Sequence, residues 1–197
     1  MAGILLNHSA GGYGDAAIAG MSIVSRVSMF ASSALIGFGQ GFQPVCGFNY
    51  GAKLYHRVRE GFSFCVKYAT VFLIGVAGAA AVFAPQIISL FRKDDAQVIA
   101  IGARALRLQC LAFPLTGWIV MSNMMLQSIG KALKASILAA ARQGLFFIPL
   151  ILILPRLFGL FGVEMCQTIS DICSFILAVP LCCSVLNEMK KLERELS

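Results

Sequence analysis

The chain has 197 residues, of which 58% are hydrophobic and 13% charged, against a charged share of about 25% in ordinary soluble domains. Sixteen Lys+Arg and nine Asp+Glu, at a mean hydropathy of +0.82, cannot coat a water-soluble domain of this size, so the composition excludes that class and indicates an integral membrane protein. The net charge of +7 is dispersed among apolar runs with no basic stripe or motif, which excludes nucleic acid as a partner and reads instead as membrane orientation.

In chain order, Met1–Leu6 is apolar but too short to span and lacks the n-region and cleavage site of a signal peptide. Gly11, Gly12, Tyr13 and Gly14 form an outer turn, which requires a helix arriving from the inside. Residues 1–14 are therefore expected to be the remnant of a preceding helix plus that turn, 15–186 a transmembrane bundle, and 187–197 a charged cytoplasmic tail. The charge-free gaps between Arg26 and Lys53, Lys67 and Arg92, and Arg107 and Lys131 each exceed the roughly 20 residues a spanning helix needs. Ala135–Pro155 carries only Arg142, and Leu157–Asn187 only Glu164 and Asp171. The pattern predicts five transmembrane helices near 16–46, 61–84, 97–128, 134–155 and 161–186.

The connections alternate in charge. Lys53, Arg57, Arg59, Lys131, Lys134, Lys190, Lys191 and Arg194 fall on one side, and Arg92, Lys93 and Arg156 on the other. Eight basic residues against three make the first side cytoplasmic, with Asp15 outside and the C-terminus inside. The fold class expected is all-α: a polytopic membrane bundle of about five spans.

Gly37-Phe-Gly-Gln-Gly-Phe-Gln-Pro-Val-Cys-Gly-Phe-Asn-Tyr-Gly-Ala-Lys53 resembles the G-x-x-Q-G-x-Q-P…G-x-N-Y-G-A-K stretch of the multidrug and toxic compound extrusion (MATE) transporters. Tyr13-Gly14-Asp15-Ala16 with Ile18-Ala19 resembles the outer loop leading to that family's eighth helix. Leu126-Gln127-Ser128-Ile129-Gly130-Lys131 resembles the end of its tenth. Arg142-Gln143-Gly144 with Pro149 and Pro155 resembles the eleventh, and Gln167-Thr-Ile-Ser-Asp171 the start of the twelfth. The resemblance covers nearly the whole chain and implies the C-terminal lobe, half of a twelve-helix exporter, lacking most of its seventh helix and the N-terminal six-helix lobe. It implies exchange of cationic or amphiphilic drugs for Na+ or H+, with no other cofactor. Two departures leave the coupling ion open. The first-helix Asp used by many bacterial members is absent, and Ala96–Ser128 carries no carboxylate, unlike the tenth helix of some sodium-coupled members.

Charges within a membrane are costly, so each carries a functional hypothesis beside a structural one. Asp171 lies about 15 Å into the last helix, and Arg26 at a similar depth in the first. They are expected to form a buried ion pair, or to let Asp171 bind a cation or proton in competition with Arg26. Arg104 and Arg107 are further candidates to meet Asp171. Snorkelling is the plainer reading for Arg104 and Lys67, and Arg142 divides between an inner-gate contact and snorkelling. Gln40, Gln43, Asn123, Gln127, Arg142 and Gln143 are cavity-lining candidates, with interhelical amide bonding as the plainer alternative. Met121, Met124 and Met125 offer adaptable surface or simple packing. Gly37, Gly41 and Pro44 are hinge candidates, and Gly37-x-x-x-Gly41 also permits close helix approach.

The leading expectation is an ion-coupled multidrug efflux antiporter in the plasma membrane, with the lipid bilayer and amphiphilic or cationic small molecules as partners. The alternatives are a lipid-linked saccharide flippase of related fold, whose cavity should be richer in Arg and Lys, and a half-subunit or truncated chain inactive by itself. His8 and His56 sit in no H-E-x-x-H or G-x-S-x-G pattern, so no catalytic residue is assigned. The seven cysteines contain no C-x-x-C pair, so they are read as small buried hydrophobes, with neither a metal site nor a disulfide framework.

Overall fold

The structure, a computed structural model, describes residues 11–93 and 95–196, so the expected helix remnant at 1–10 lies outside the described residues. The elements are α1 (Asp15–Gly51), α2 (Tyr55–Val82), α3 (Ala84–Phe91), α4 (Ala96–Ser128), α5 (Ala132–Ala140), a π-helical turn (Ala141–Leu145), α6 (Phe147–Phe158) and α7 (Leu160–Leu196). Among the described residues every regular element is helical. The chain is an all-α, multi-pass membrane bundle. Four helices, α1, α2, α4 and α7, are long and apolar enough to cross a bilayer. The fourth expected span is interrupted: α5, the π turn and α6 together cover about 40 Å at 1.5 Å per residue. The expected tail at 187–196 is continuous with the last span as the end of α7.

α4 is the hub. It buries residues on all sides, from Val98 and Ile101 through Leu106, Phe113 and Ile119 to Met125, as a helix apolar around its whole circumference must. Asp95 caps it, accepting from the Gln97 and Val98 N–H groups at 3.1 and 3.2 Å, a contact worth about 1 kcal/mol. Glycine lets α1 approach α4 closely: a Cβ at Gly20 would stand 3.2 Å from the Gly102 nitrogen. Lower down, Trp118 of α4 packs edge-on against Phe62 of α2 and Phe175 of α7, with ring centroids 5.6 and 6.5 Å away. The outward surface is apolar, with Phe30, Phe48, Leu90 and Leu111 all well exposed, as suits a surface facing lipid or another lobe.

The two ends are separately tied. At one, Tyr13 donates its hydroxyl to the Pro155 carbonyl at 2.9 Å. Gly159, at φ 59°, turns the chain so sharply that a Cβ on Gly162 would collide with the Leu154 backbone. At the other, Arg59 bonds Glu193 at 2.9 Å and Lys131 bonds Glu188 at 2.7 Å, fastening α7 to the start of α2 and to the α4–α5 connection.

The glycines of α1 are used differently from expectation. α1 runs unbroken through Pro44. Among the described residues nothing lies within 4 Å of a Cβ built on Gly37 or Gly41, so neither mediates a close approach here. Gly39 does: its Cβ would stand 3.0 Å from both the Met121 and Met124 side chains. The reason is rotational, because Gly39 continues the buried stripe of Leu35, Phe42 and Cys46, while positions two residues away turn about 200° from it. The cysteines are all free thiols. Five are buried, but Cys173 is half-buried and Cys183 exposed, so the expected burial does not extend to those two.

Candidate functional site

Two polar stripes run through otherwise apolar helices. On α1, Ser25, Ser28 and Ser32 recur at helical spacing, with Ser33 beside them. On α7, Glu164, Gln167, Thr168 and Asp171 share one face. The serines of α1, Glu164 and Gln167 of α7, and Gln109 and Thr116 of α4 line a cavity of about 430 Å³. Apolar side chains, Met21, Val24, Leu73 and Phe113 among them, make up most of the remaining wall.

Asp171 is fully buried and its carboxylate is saturated by three donors. Arg142 Nε donates to Oδ1 at 3.1 Å, Gln167 Nε2 to the same oxygen at 3.2 Å, and Gln109 Nε2 to Oδ2 at 3.1 Å. Asp171 offers only acceptors, so both amides must present nitrogen to it and turn their carbonyl oxygens elsewhere. The π turn places Arg142. There the Phe146 N–H bonds the Ala141 carbonyl at 3.1 Å, and the Ser170 hydroxyl donates to the carbonyl of Arg142 at 3.0 Å. Single π turns of this kind concentrate at functional positions.

The remaining lining presents acceptors. Ser25, Ser33 and Thr116 donate their hydroxyl protons to the carbonyls of Met21, Met29 and Ala112, four residues back on their own helices. Glu164 is 1% exposed, and among the described residues neither of its carboxyl oxygens has a hydrogen-bond partner. The cavity therefore holds one arginine already committed to Asp171, one unsatisfied carboxyl, and hydroxyl and amide oxygens. It suits a cation or a hydrogen-bond donor. Among the described residues no cluster of His, Cys, Asp or Glu could hold a metal ion.

The sequence-selected residues separate into groups. Asp171 does form a buried ion pair, but with Arg142 and not with Arg26, which is exposed. Depth alone suggested Arg26. Its position falls about 100° from Ser25 and 160° from Ser28, which turns it off the cavity face. Arg104 and Arg107 are also exposed, and Arg107 Nε donates to the Ala81 carbonyl at 3.2 Å. Arg142 lines the cavity and also borders a smaller one of about 220 Å³ that includes Asn123 and Met124. Gln43 donates to Gln127 at 3.3 Å, Gln127 to Asn123, and Asn123 to the Ala135 carbonyl at 3.0 Å, an amide chain joining α1, α4 and α5. Gln40 is exposed, and the Gln143 side chain lies outside the described residues. Met121 and Met125 are core. Sequence reasoning missed Gln109, Glu164, Gln167 and the serines of α1. The available signal was the spacing of the two polar stripes.

The MatE family model matches residues 1–153, and the chain belongs to that family. Its members are transporters and not enzymes. The chain is 27% identical over 175 residues to the multidrug export protein MepA of Staphylococcus haemolyticus, covering 88% of this chain and 38% of that relative. It superposes on an outward-facing multidrug resistance MATE family transporter of the MOP superfamily with a TM-score of 0.89 at 24% identity, over 96% of this chain and 43% of that one. The bent form of the Vibrio cholerae MATE transporter VcmN gives a TM-score of 0.87 at 19% identity, over 97% and 43% of the respective chains. The chain thus spans about two fifths of the length of the relatives it matches.

Proposed function

We propose that this chain is the C-terminal half of a secondary active antiporter that exports amphiphilic or cationic compounds in exchange for Na+ or H+. The observation that carries the reading is the acceptor-rich cavity, in which Glu164 is unpaired and the lining arginine is neutralised by Asp171. Methionine and aliphatic walls beside that polar set suit cations with apolar bodies. A lipid-linked saccharide, whose phosphate needs cationic partners, is poorly served by Arg142 alone. Multidrug export, the function named for the staphylococcal relatives, supports the exporter reading. In this reading the C-terminus is cytoplasmic, the membrane is the plasma membrane, and an N-terminal six-helix lobe completes the carrier, since alternating access requires two bundles moving against each other.

Ethidium efflux from everted membrane vesicles, driven separately by imposed Na+ and proton gradients, tests the function. Accumulation of ethidium under one gradient supports it, and none under either sinks it. Blotting native membranes with an antibody against Asn187–Ser197 tests the half-carrier reading. A band near twice 21.1 kDa supports a fused two-lobe polypeptide, while a band at 21.1 kDa makes the separate half-subunit primary.

A further inference from the structure

We propose that Glu164, not Asp171, is the proton-carrying group of this lobe: its carboxyl is protonated while the cavity is empty and gives up that proton when a cation enters. Asp171 is unsuited to the task, because its two oxygens already accept three N–H groups, one of them from a guanidinium. Displacing that set would leave the partly buried Arg142 and two amides without their acceptor. Glu164 is in the opposite condition. It is fully buried, faces the cavity, and among the described residues no donor reaches either oxygen.

The nearby amide donors, and one of the nearby hydroxyls, are already used. The amide nitrogens of Gln109 and Gln167 are held by Asp171, and the Ser25 hydroxyl by its own helix. An ionised carboxylate left dry and unpaired is among the most expensive groups a protein can bury. A proton on one carboxyl oxygen removes that charge without any rearrangement. A protonated carboxyl can also both donate and accept, which suits neighbours such as the Ser28 and Thr168 hydroxyls, buried and unpartnered among the described residues. Thr168 lies one turn from Glu164 on the same face of α7, and Ser28 lines the same cavity.

The ionisable surroundings permit the exchange. Arg104 of α4 is exposed and makes no hydrogen bond to Glu164. Arg142 of the π turn is spent on Asp171, Arg156 of α6 is exposed, and the Cys110 and Cys166 thiols are buried and neutral in character. α1 and α2 contribute only uncharged residues to the cavity wall. A positively charged molecule entering the cavity therefore meets one group able to change charge. The O–H bond of Glu164 breaks, its electron pair stays on the carboxylate, and the proton leaves to water. Reprotonation from the opposite side reverses the step and releases the cation.

This inference rests on the exporter reading only for its second half, the exchange with a cation. The test uses polypeptide purified from its own membranes through a tag after Ser197, so that the native chain is tested whole. Dicyclohexylcarbodiimide, which couples to protonated carboxyls in apolar surroundings, is added without substrate and the modified peptide is identified by mass. Glu164 should be labelled, labelling should fall as pH rises, and Asp171→Asn should leave it in place. Tetraphenylphosphonium should suppress the labelling severalfold, whereas exchanging K+ for Na+ should not change it. Labelling at Asp171 in place of Glu164, no labelled carboxyl, or protection by Na+ alone would each overturn the proposal. In vesicles, Glu164→Gln should abolish efflux driven by a pH gradient and leave any remaining tetraphenylphosphonium binding independent of pH; retained proton-driven efflux refutes the coupling role. A chain that labels at Glu164 yet exports nothing under any gradient fails the exporter reading and leaves the proton site standing.

Discussion

Arg142 Nε and Asp171 Oδ1 lie 3.1 Å apart across the π turn and α7, with the Asp171 side chain fully buried and the Arg142 side chain 22% exposed. The two partners therefore differ in what their loss leaves behind. Without Arg142, a carboxylate remains in the core with only two amides. Without the Asp171 charge, the arginine can still reach the cavity. Arg142→Ala should cost about 3–5 kcal/mol, and Asp171→Asn less, measured as melting shifts in detergent. The double variant should be more stable than the sum of the singles predicts, by up to about 3 kcal/mol. Additive losses would show that the pair is not coupled.

The glycines of α1 give a second contrast. Gly39 meets Met121 and Met124 at 3.0 Å from a built Cβ, and Gly37 and Gly41 meet nothing within 4 Å among the described residues. Gly39→Val should destabilise by about 1–3 kcal/mol through overpacking. Gly37→Ala and Gly41→Ala should be neutral or stabilising, by up to about 1 kcal/mol each, because alanine favours the helix. A hinge at Gly37 or Gly41 would show differently, as lost transport at unchanged melting temperature.

What could be read from sequence follows from what lipid forbids. Charges are expensive in hydrocarbon, so the charge-free gaps bounded by Arg26, Lys53, Lys67, Arg92, Arg107 and Lys131 mark where spanning rods run, although Arg26, Lys67 and Arg107 fall inside α1, α2 and α4 and not at their ends. Rotation about each rod leaves no such mark. Depth points to Arg26 as the partner of Asp171, and the facing of Ser25 and Ser28 toward the cavity turns Arg26 away. The π turn was illegible because Ala141-Arg-Gln-Gly-Leu145 contains no proline and nothing that distinguishes it locally from an α-helical stretch. Glu164 lies near the start of the last helix, where a carboxylate ordinarily meets water. Its burial comes from α4 and α6 packing around that end.

Lys131 carries a pH signature outside the membrane. Its ammonium donates to Glu188 at 2.7 Å, and that bond holds its pKa above the usual 10.5. A raised folded-state value means the contribution is fully present below the unfolded value and fades as pH climbs through the folded one. Both side chains are partly exposed, so the pair is worth about 1 kcal/mol or less. Glu188→Gln should lower the melting temperature slightly between neutral pH and about pH 9, and the gap should close above the unfolded lysine value near 10.5. A gap that persists unchanged at higher pH would assign the loss to packing.

The orientation rests on charge and is directly measurable. Arg59–Glu193 and Lys131–Glu188 gather three basic segments at one end of the bundle, and the Tyr13–Pro155 bond joins the opposite connections. Under the proposed orientation, the excess of eight basic residues against three places the first end in the cytoplasm. With Cys173 and Cys183 replaced, since the other five thiols are buried, single cysteines at Lys190 and Lys93 can be probed with a membrane-impermeant maleimide. Lys93→Cys should react in intact cells, and Lys190→Cys only after permeabilisation. The reverse pattern would invert the bundle, placing Glu164 near the cytoplasmic face and making the cytoplasm the side nearer its proton.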